Sequence, residues 1–526
     1  MVSQFNYVTC PKCGHDRNPV TAKKCEICAF KLGKSFGLLP MIGGGLALLT
    51  LLGVGYFALK GQPGSVASAA GGSSSEPSSS QGFTDRIFAF SLPGISLPGN
   101  AAQSNDVSAF LSRGERVLFT DTPVPSKQAA ATAFAAGDFP TAVRELEASR
   151  QASRSDPESL IYLNNARLGN TPALSVAVVV PIGSNANAAR EILRGVAQAQ
   201  DEANRAGVPL KVVIGDDNND PKRAQDIANT LAKDSSILAV IGHGTSKTSL
   251  AAAPVYQQNQ MVMVAPTSTS TELVQVPKSA GGDNYIFRTI SSDQFTGTAL
   301  ARYMLKTLGK RKAAVFFNSG SSYSKSLEQA FETTLSLEGG QVVQQVDLAK
   351  GNAASQISGG AAEVLVLLPD SDTLAQAIEV AKANQNRLPL LAGDAVYKID
   401  SLQQGGAALN GMVLPVPWHP LKNADPNFSQ TASSLWGGDI NWRTAMGYDA
   451  VRALRVGRAK GKITVQNGRQ GRAALAKAFA APGFASNGAT GVISFLPSGD
   501  RNSNVILVKV QPGTRSGTGY DFVPLQ

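Results

Sequence analysis

Leu174-Ser175-Val176-Ala177-Val178-Val179-Val180-Pro181 is a nearly continuous apolar run that stops at a proline. It reads as a strand covered on both faces, of the kind that parallel sheets bury between layers of helix. The theme continues with a helical pattern over residues 185–206, a strand at Leu210–Asp216, a helix at Pro221–Lys233 and a third strand at Ile237–Gly242. It restarts with strands at Lys312–Phe317, Gln341–Asp347, Val364–Leu368 and 388–391, and a helix over 322–338. Strands alternating with helices on short connections predict α/β layers, and the restart predicts two lobes within residues 172–526.

Composition agrees. The chain has 526 residues, 43% hydrophobic and 16% charged, enough to bury two or three compact cores. Its formal charge of +10 would suit a nucleic-acid partner, but the cations are scattered and no basic run is interleaved with aromatics. No nucleic acid is expected.

Ahead of the lobes the chain changes character. Its 4 cysteines fall in Cys10-Pro11-Lys12-Cys13 and Cys25-Glu26-Ile27-Cys28, a spacing that suits tetrahedral Zn²⁺, so residues 1–34 are expected to form a zinc ribbon with a structural metal. Two disulfides are the competing reading, disfavoured because so short a loop bridges poorly within itself. Residues 35–60 contain an uncharged apolar run, 36–59, long enough to cross a hydrocarbon core of about 30 Å as a transmembrane helix. Lys12, Arg17, Lys23, Lys24, Lys31 and Lys34 precede it, whereas only Lys60 and then Arg86 follow it. The positive-inside rule then places the N-terminus in the cytoplasm and the C-terminal part outside a single-pass inner or plasma membrane. A signal peptide cleaved near Val66-Ala67-Ser68-Ala69 competes, although its apolar core would span only about 7 to 15 residues. Residues 61–105, rich in Gly, Ser, Ala and Pro, read as a flexible linker. Residues 106–171 carry helical periodicity, and the Gly137-Asp138-Phe139 turn after Phe134 resembles a tetratricopeptide repeat. With about one repeat visible, this segment is either an adaptor packed on the next domain or part of a peptide-binding array.

Four stretches of the α/β region carry a family resemblance: Asp216-Asp217-Asn218-Asn219-Asp220-Pro221, Ile241-Gly242-His243-Gly244-Thr245-Ser246, Ala265-Pro266-Thr267-Ser268-Thr269 and Arg288-Thr289-Ile290-Ser291-Ser292-Asp293. Their order and spacing resemble the type I periplasmic binding proteins for leucine, isoleucine and valine. The resemblance implies an α/β, two-lobed periplasmic-binding-protein type I fold that closes on an amino acid or similar solute, commonly for delivery to an ABC permease. It assigns the ligand carboxylate to Ser246, at a helix start where free amides favour an anion, assisted by the backbone at Thr267 and the hydroxyl of Thr269. It sets Asp293 and Asp394 against an ammonium, and closes Tyr323 over the ligand from the second lobe. Ser246 and Thr269 could instead cap helices, and Asp293 could be the N-cap of a helix running to residue 308. Two positions depart from the pattern. Asp394 stands where a longer acid is expected, and Lys247 replaces a small hydroxyl residue; pointing inward, Lys247 would favour a second acidic group on the ligand, and pointing outward, the commoner case, it is a solvated surface charge.

Enzymatic readings find no support. His15, His243 and His419 lie in separate segments, and no Gly-x-Ser-x-Gly elbow is present. Gly33-Lys34-Ser35 resembles the end of a phosphate loop, but Cys28 occupies the place of its first glycine. The leading expectation is a membrane-anchored solute-binding protein serving an ABC transporter. The alternatives are a sensor that signals across the membrane, or a structural adaptor with a degenerate pocket.

Overall fold

A computed structural model of the chain describes residues 7–8, 18–19, 107–278, 281–357, 360–422, 425–465 and 468–525. The cysteine pairs, the apolar run 36–59 and the linker 61–105 lie outside the described residues. Among those described, no helix is long and apolar enough to cross a membrane. At the N-terminal end, Tyr7–Val8 pairs antiparallel with Asn18–Pro19.

The first lobe begins with a short strand, β1 (Leu111–Ser112), and three helices, α1 (Pro125–Ala135), α2 (Phe139–Ala152) and α3 (Pro157–Leu168). Asp138 and Asp156 cap α2 and α3, each followed within two residues by a proline that needs no hydrogen-bond acceptor there. Every residue of α3 from Pro157 to Ala166 is buried. Asn165 fastens it to the sheet, donating to the Val212 carbonyl at 2.7 Å and accepting from the Val212 amide at 3.0 Å.

The strands β2 (Leu174–Val180), β3 (Leu210–Asp216), β4 (Ile237–Gly242), β5 (Val262–Ala265) and β6 (Ile286–Arg288) complete a sheet of order β1-β3-β2-β4-β5-β6, all parallel except β1. All of β2 is buried, as its apolar run requires. Between the strands run α4 (Ala186–Arg205), α5 (Pro221–Lys233) and α6 (Ser246–Gln258).

The second lobe opens with α7 (Asp293–Arg302), which continues as a π-turn at Tyr303–Thr307 rather than as regular helix to 308. Its sheet runs β8-β7-β9-β10-β11-β12-β13, where β7 is Lys312–Phe317, β8 Gln341–Asp347, β9 Val364–Leu368, β10 Leu390–Ala392, β11 Val413–Val416, β12 Ile506–Pro512 and β13 Tyr520–Pro524. β10 starts later than the expected 388 because Pro389 has no N–H to give to the ladder. The helices α8 (Ser322–Leu337), α9 (Leu374–Asn384) and α10 (Ile399–Gly405) belong to this lobe.

The chain passes to the second lobe after β6 and returns after β11 with α11 (Pro426–Trp436), α12 (Trp442–Lys460) and α13 (Gly468–Ala480), which pack on the first. It passes again ahead of β12, which joins β11 antiparallel. Where α12 crosses α4 the backbones touch: a Cβ on Gly195 would collide with the Thr444 carbonyl, and one on Gly447 with that of Ile192.

Candidate functional site

The motif after β3 is a set of side-chain-to-backbone turns. Asp216 accepts from the Asn218 amide and Asp217 from the Asn219 amide, while Asp220 caps α5. Asn218 and Asn219 both take the left-handed conformation that asparagine tolerates. Asn219 is thereby presented to Thr245, whose hydroxyl donates to its Oδ1 at 2.8 Å. Asp217 holds buried His243 at 2.8 Å, and the other ring nitrogen lies 3.1 Å from the Tyr256 hydroxyl. His243 therefore braces the loop that leads into α6.

Thr245, not Ser246, is the N-cap of α6. Ser246 is its first residue, so its amide sits among those that a helix leaves without an internal partner. Its hydroxyl accepts from Ser268 and from the Ser270 amide, both at 3.3 Å. Thr267 donates to the Gly244 carbonyl at 2.9 Å. On the second lobe, the Tyr323 hydroxyl donates to Asp394 at 2.6 Å and accepts from the Ala395 amide at 3.3 Å. That approach depends on Gly393, because a Cβ there would lie 2.5 Å from the Tyr323 hydroxyl. Burial raises the Asp394 carboxyl above its ordinary range, and the Tyr323 hydrogen bond draws it back. Burial also raises the Tyr323 phenol, with the Asp394 charge adding to the effect.

These groups face one another across a cavity of about 200 Å³ between the lobes. Ser246, Thr267, Tyr323 and Asp394 all stand in its wall, as does Lys247. The volume is below the range of roughly 300–1,000 Å³ that accommodates drug-sized molecules, and suits a smaller solute. At the mouth, the Asn185 side-chain amide donates to the Ser371 hydroxyl at 3.1 Å, tying one lobe to the other.

Thr269 and Asp293 are placed differently. Neither is in the cavity wall; Thr269 lines a narrow void behind Asp394. Asp293 is the first residue of α7, with Ser292 at the N-cap position. Its carboxylate is fully buried and neither oxygen has a hydrogen-bond partner. Burial pushes it up to about 7; the nearby hydroxyls of Ser326 and Thr269 and the Arg288 charge draw it down, while Asp394 pushes it further up.

The wall also contains residues that sequence reasoning passed over, chiefly Asn219, Asp370, Trp442 and Arg443. Arg443 lies in the first turn of α12, where the helix dipole opposes a cation. That mismatch was the available signal. Beside it, Lys398 is lowered to about 8, first by burial and then by the Arg443 charge.

Relatives share this architecture. An amino acid binding protein of Pseudomonas aeruginosa is 29% identical over 173 residues, 32% of this chain and 45% of its own length, so the match spans about half of that relative. The Leu/Ile/Val-binding protein BraC3 of Rhizobium johnstonii is 25% identical over 297 residues, 54% of this chain and 78% of its own length. The crystal structure of a leucine binding protein from Thermotoga maritima superposes with a TM-score of 0.57 at 25% identity, covering 66% of this chain and 97% of that one. The family model for periplasmic binding proteins matches residues 174–515, well over half of the chain and both lobes that frame the cavity. On that evidence the chain belongs to the periplasmic binding protein family.

Proposed function

We propose that the lobes bind an amino acid or a closely related small solute outside the cytoplasmic membrane and deliver it to an ABC permease. The observation that carries this reading is the polarity of the cavity: the N-terminus of α6 with Ser246 on one side, the Asp394–Tyr323 pair on the other. The first suits a carboxylate and the second an ammonium, so a zwitterion satisfies both. The names of the relatives, which are amino acid or leucine binding proteins, support the same class of ligand. Ser246, Thr267, Tyr323 and Asp394 would touch the ligand, while Thr269 and Asp293 would act from behind the wall.

Calorimetric titration of the purified full chain with a panel of amino acids tests this. Binding weakened at least about tenfold by Ser246→Ala and by Asp394→Asn is the expected result, each change removing one charge-assisted contact. A folded chain that binds no member of the panel would sink the reading.

The N-terminal expectations fit the same picture. Cys10, Cys13, Cys25 and Cys28 would hold a structural Zn²⁺ on the cytoplasmic side, and residues 36–59 would anchor the lobes to the membrane. Zinc content of the full chain, compared with Cys25→Ser/Cys28→Ser, checks the metal; equal content in both would exclude these ligands.

A further inference from the structure

Among the described residues Arg288, Arg443, Arg472 and Arg501 are the buried arginines. Three of them are engaged by the fold. Arg288 lies 2.5 Å from Asp500 and donates to the Ser268 and Ser270 carbonyls. Arg472 donates to the carbonyls of Ala232, Asp234 and Ile237. Arg501 pairs with Asp449 at 3.0 Å and donates to the Thr289 carbonyl.

Arg443 has no such set. It is only 8% exposed, yet its guanidinium makes one hydrogen bond, to the Tyr397 carbonyl at 3.2 Å, and forms no ion pair among the described residues. The guanidinium lies over the Trp442 ring at 4.1 Å, which fixes the plane of its fork. Burial lowers its pKa, and the carboxylates of Asp394 and Glu191, which lie beyond pairing distance, counter that only in part. A buried charge without an ion-pair partner is poorly tolerated, and a fork held rigid against an aromatic ring is suited to a carboxylate. The side chain borders the same cavity as Ser246 and Asp394.

We infer that Arg443 receives a second carboxylate of the ligand, and that the cavity takes an acidic amino acid. This rests on the solute-binding reading above. The ligand's α-carboxylate lies at the start of α6, its ammonium against Asp394, and its distal carboxylate on Arg443. Lys398, whose Nζ donates to Ser371 at 3.1 Å, adds positive charge beside the site, whereas Lys247 in the wall is exposed to solvent. Asp370, Asp372 and Asp394 stand in the same wall, so the preference for an acidic ligand comes from the placement of Arg443 and not from an excess of positive charge.

The test titrates glutamate, aspartate, glutamine and leucine into the purified full chain. Glutamate or aspartate is expected to bind at least about tenfold tighter than glutamine, which differs from glutamate only in the distal charge. Arg443→Gln is expected to remove that preference, lowering glutamate or aspartate affinity at least about tenfold, and Arg443→Lys to restore part of it. Thermal shifts of the unsubstituted chain with glutamate and with glutamine give the same comparison without a variant. Glutamine or leucine binding as tightly as both acids overturns the inference and leaves the solute-binding reading standing. Failure of every amino acid to bind a folded chain overturns both.

Discussion

Asp293 is fully buried close to the cavity without lining it. Its carboxyl is pushed up to about 7 chiefly by burial, whereas in an unfolded chain it would titrate near 4. Between those values the folded chain holds a proton that the unfolded chain has released, so this group's contribution makes stability fall as pH rises from about 4 to about 7. Above that window the penalty is on the order of 4 kcal/mol, three units at roughly 1.4 kcal/mol each. Asp293→Asn keeps the shape and removes the ionisation. The ligand-free variant should match the parent near pH 4 and melt several degrees higher at pH 8; thermal unfolding across that range checks it, and parallel curves for the two chains would refute the assignment. At this scale the sequence was only partly legible. Ser246, Thr267, Tyr323 and Asp394 stand in motifs whose local turns set their direction, and all reach the cavity wall. Thr269 and Asp293 come from equally recognisable motifs but face inward, because the Asp293 amide donates to the Thr269 carbonyl at 2.8 Å and draws both behind the wall. Arg443 belongs to no motif; its place in the cavity wall depends on where α12 crosses α4.

That crossing is decided by glycine. Gly195 on α4 and Gly447 on α12 let the two backbones meet, and Arg443 lies one helical turn before Gly447. The position of the guanidinium therefore depends on a backbone contact rather than on its own neighbours. Gly447→Ala must push the helices apart, because the obstructing atom is the Ile192 carbonyl, which has no rotamer to escape into. The expected cost is about 1–3 kcal/mol from overpacking, together with weaker ligand binding as the Trp442–Arg443 wall shifts. Chemical denaturation and titration of the same variant measure both, and a variant that loses stability with affinity unchanged would show that the crossing does not position the site. Elements with long apolar runs were readable in sequence to within a residue or two, as at Leu174–Val180 and Val364–Leu368. Pairing was not. β11 takes β12 as its antiparallel neighbour across three intervening helices, and no local pattern in Val413–Val416 marks that partner.

On the scale of the molecule, the helices ahead of the lobes are continuous with the first of them. β1 extends the first sheet by pairing with β3, with Leu111 opposite Gly215 and Ser112 opposite Ile214. Buried Leu160, Ile161, Tyr162 and Leu163 belong to the same apolar cluster as Val176, Val178 and Leu193. The Asn165 side chain meets both the amide and the carbonyl of Val212 on β3. Arg150 reaches further, donating to the Leu435 carbonyl at the end of α11 at 3.2 Å. A chain cut at residue 172 would keep every group in the cavity wall and still expose this seam. Each large apolar side chain uncovered costs roughly 1.5–3 kcal/mol, and the Val212 backbone would lose its partner at the sheet edge. The sum rivals the whole stability of an ordinary domain, about 5–15 kcal/mol. Residues 172–526 expressed alone should therefore aggregate or melt at least about 10 °C below residues 107–526, and should bind solute only to the extent that they fold. Thermal unfolding and ligand titration of the two fragments decide the matter. Equal melting temperatures would mean that the helices rest on the lobe without supporting it, leaving their exposed faces free to serve a partner.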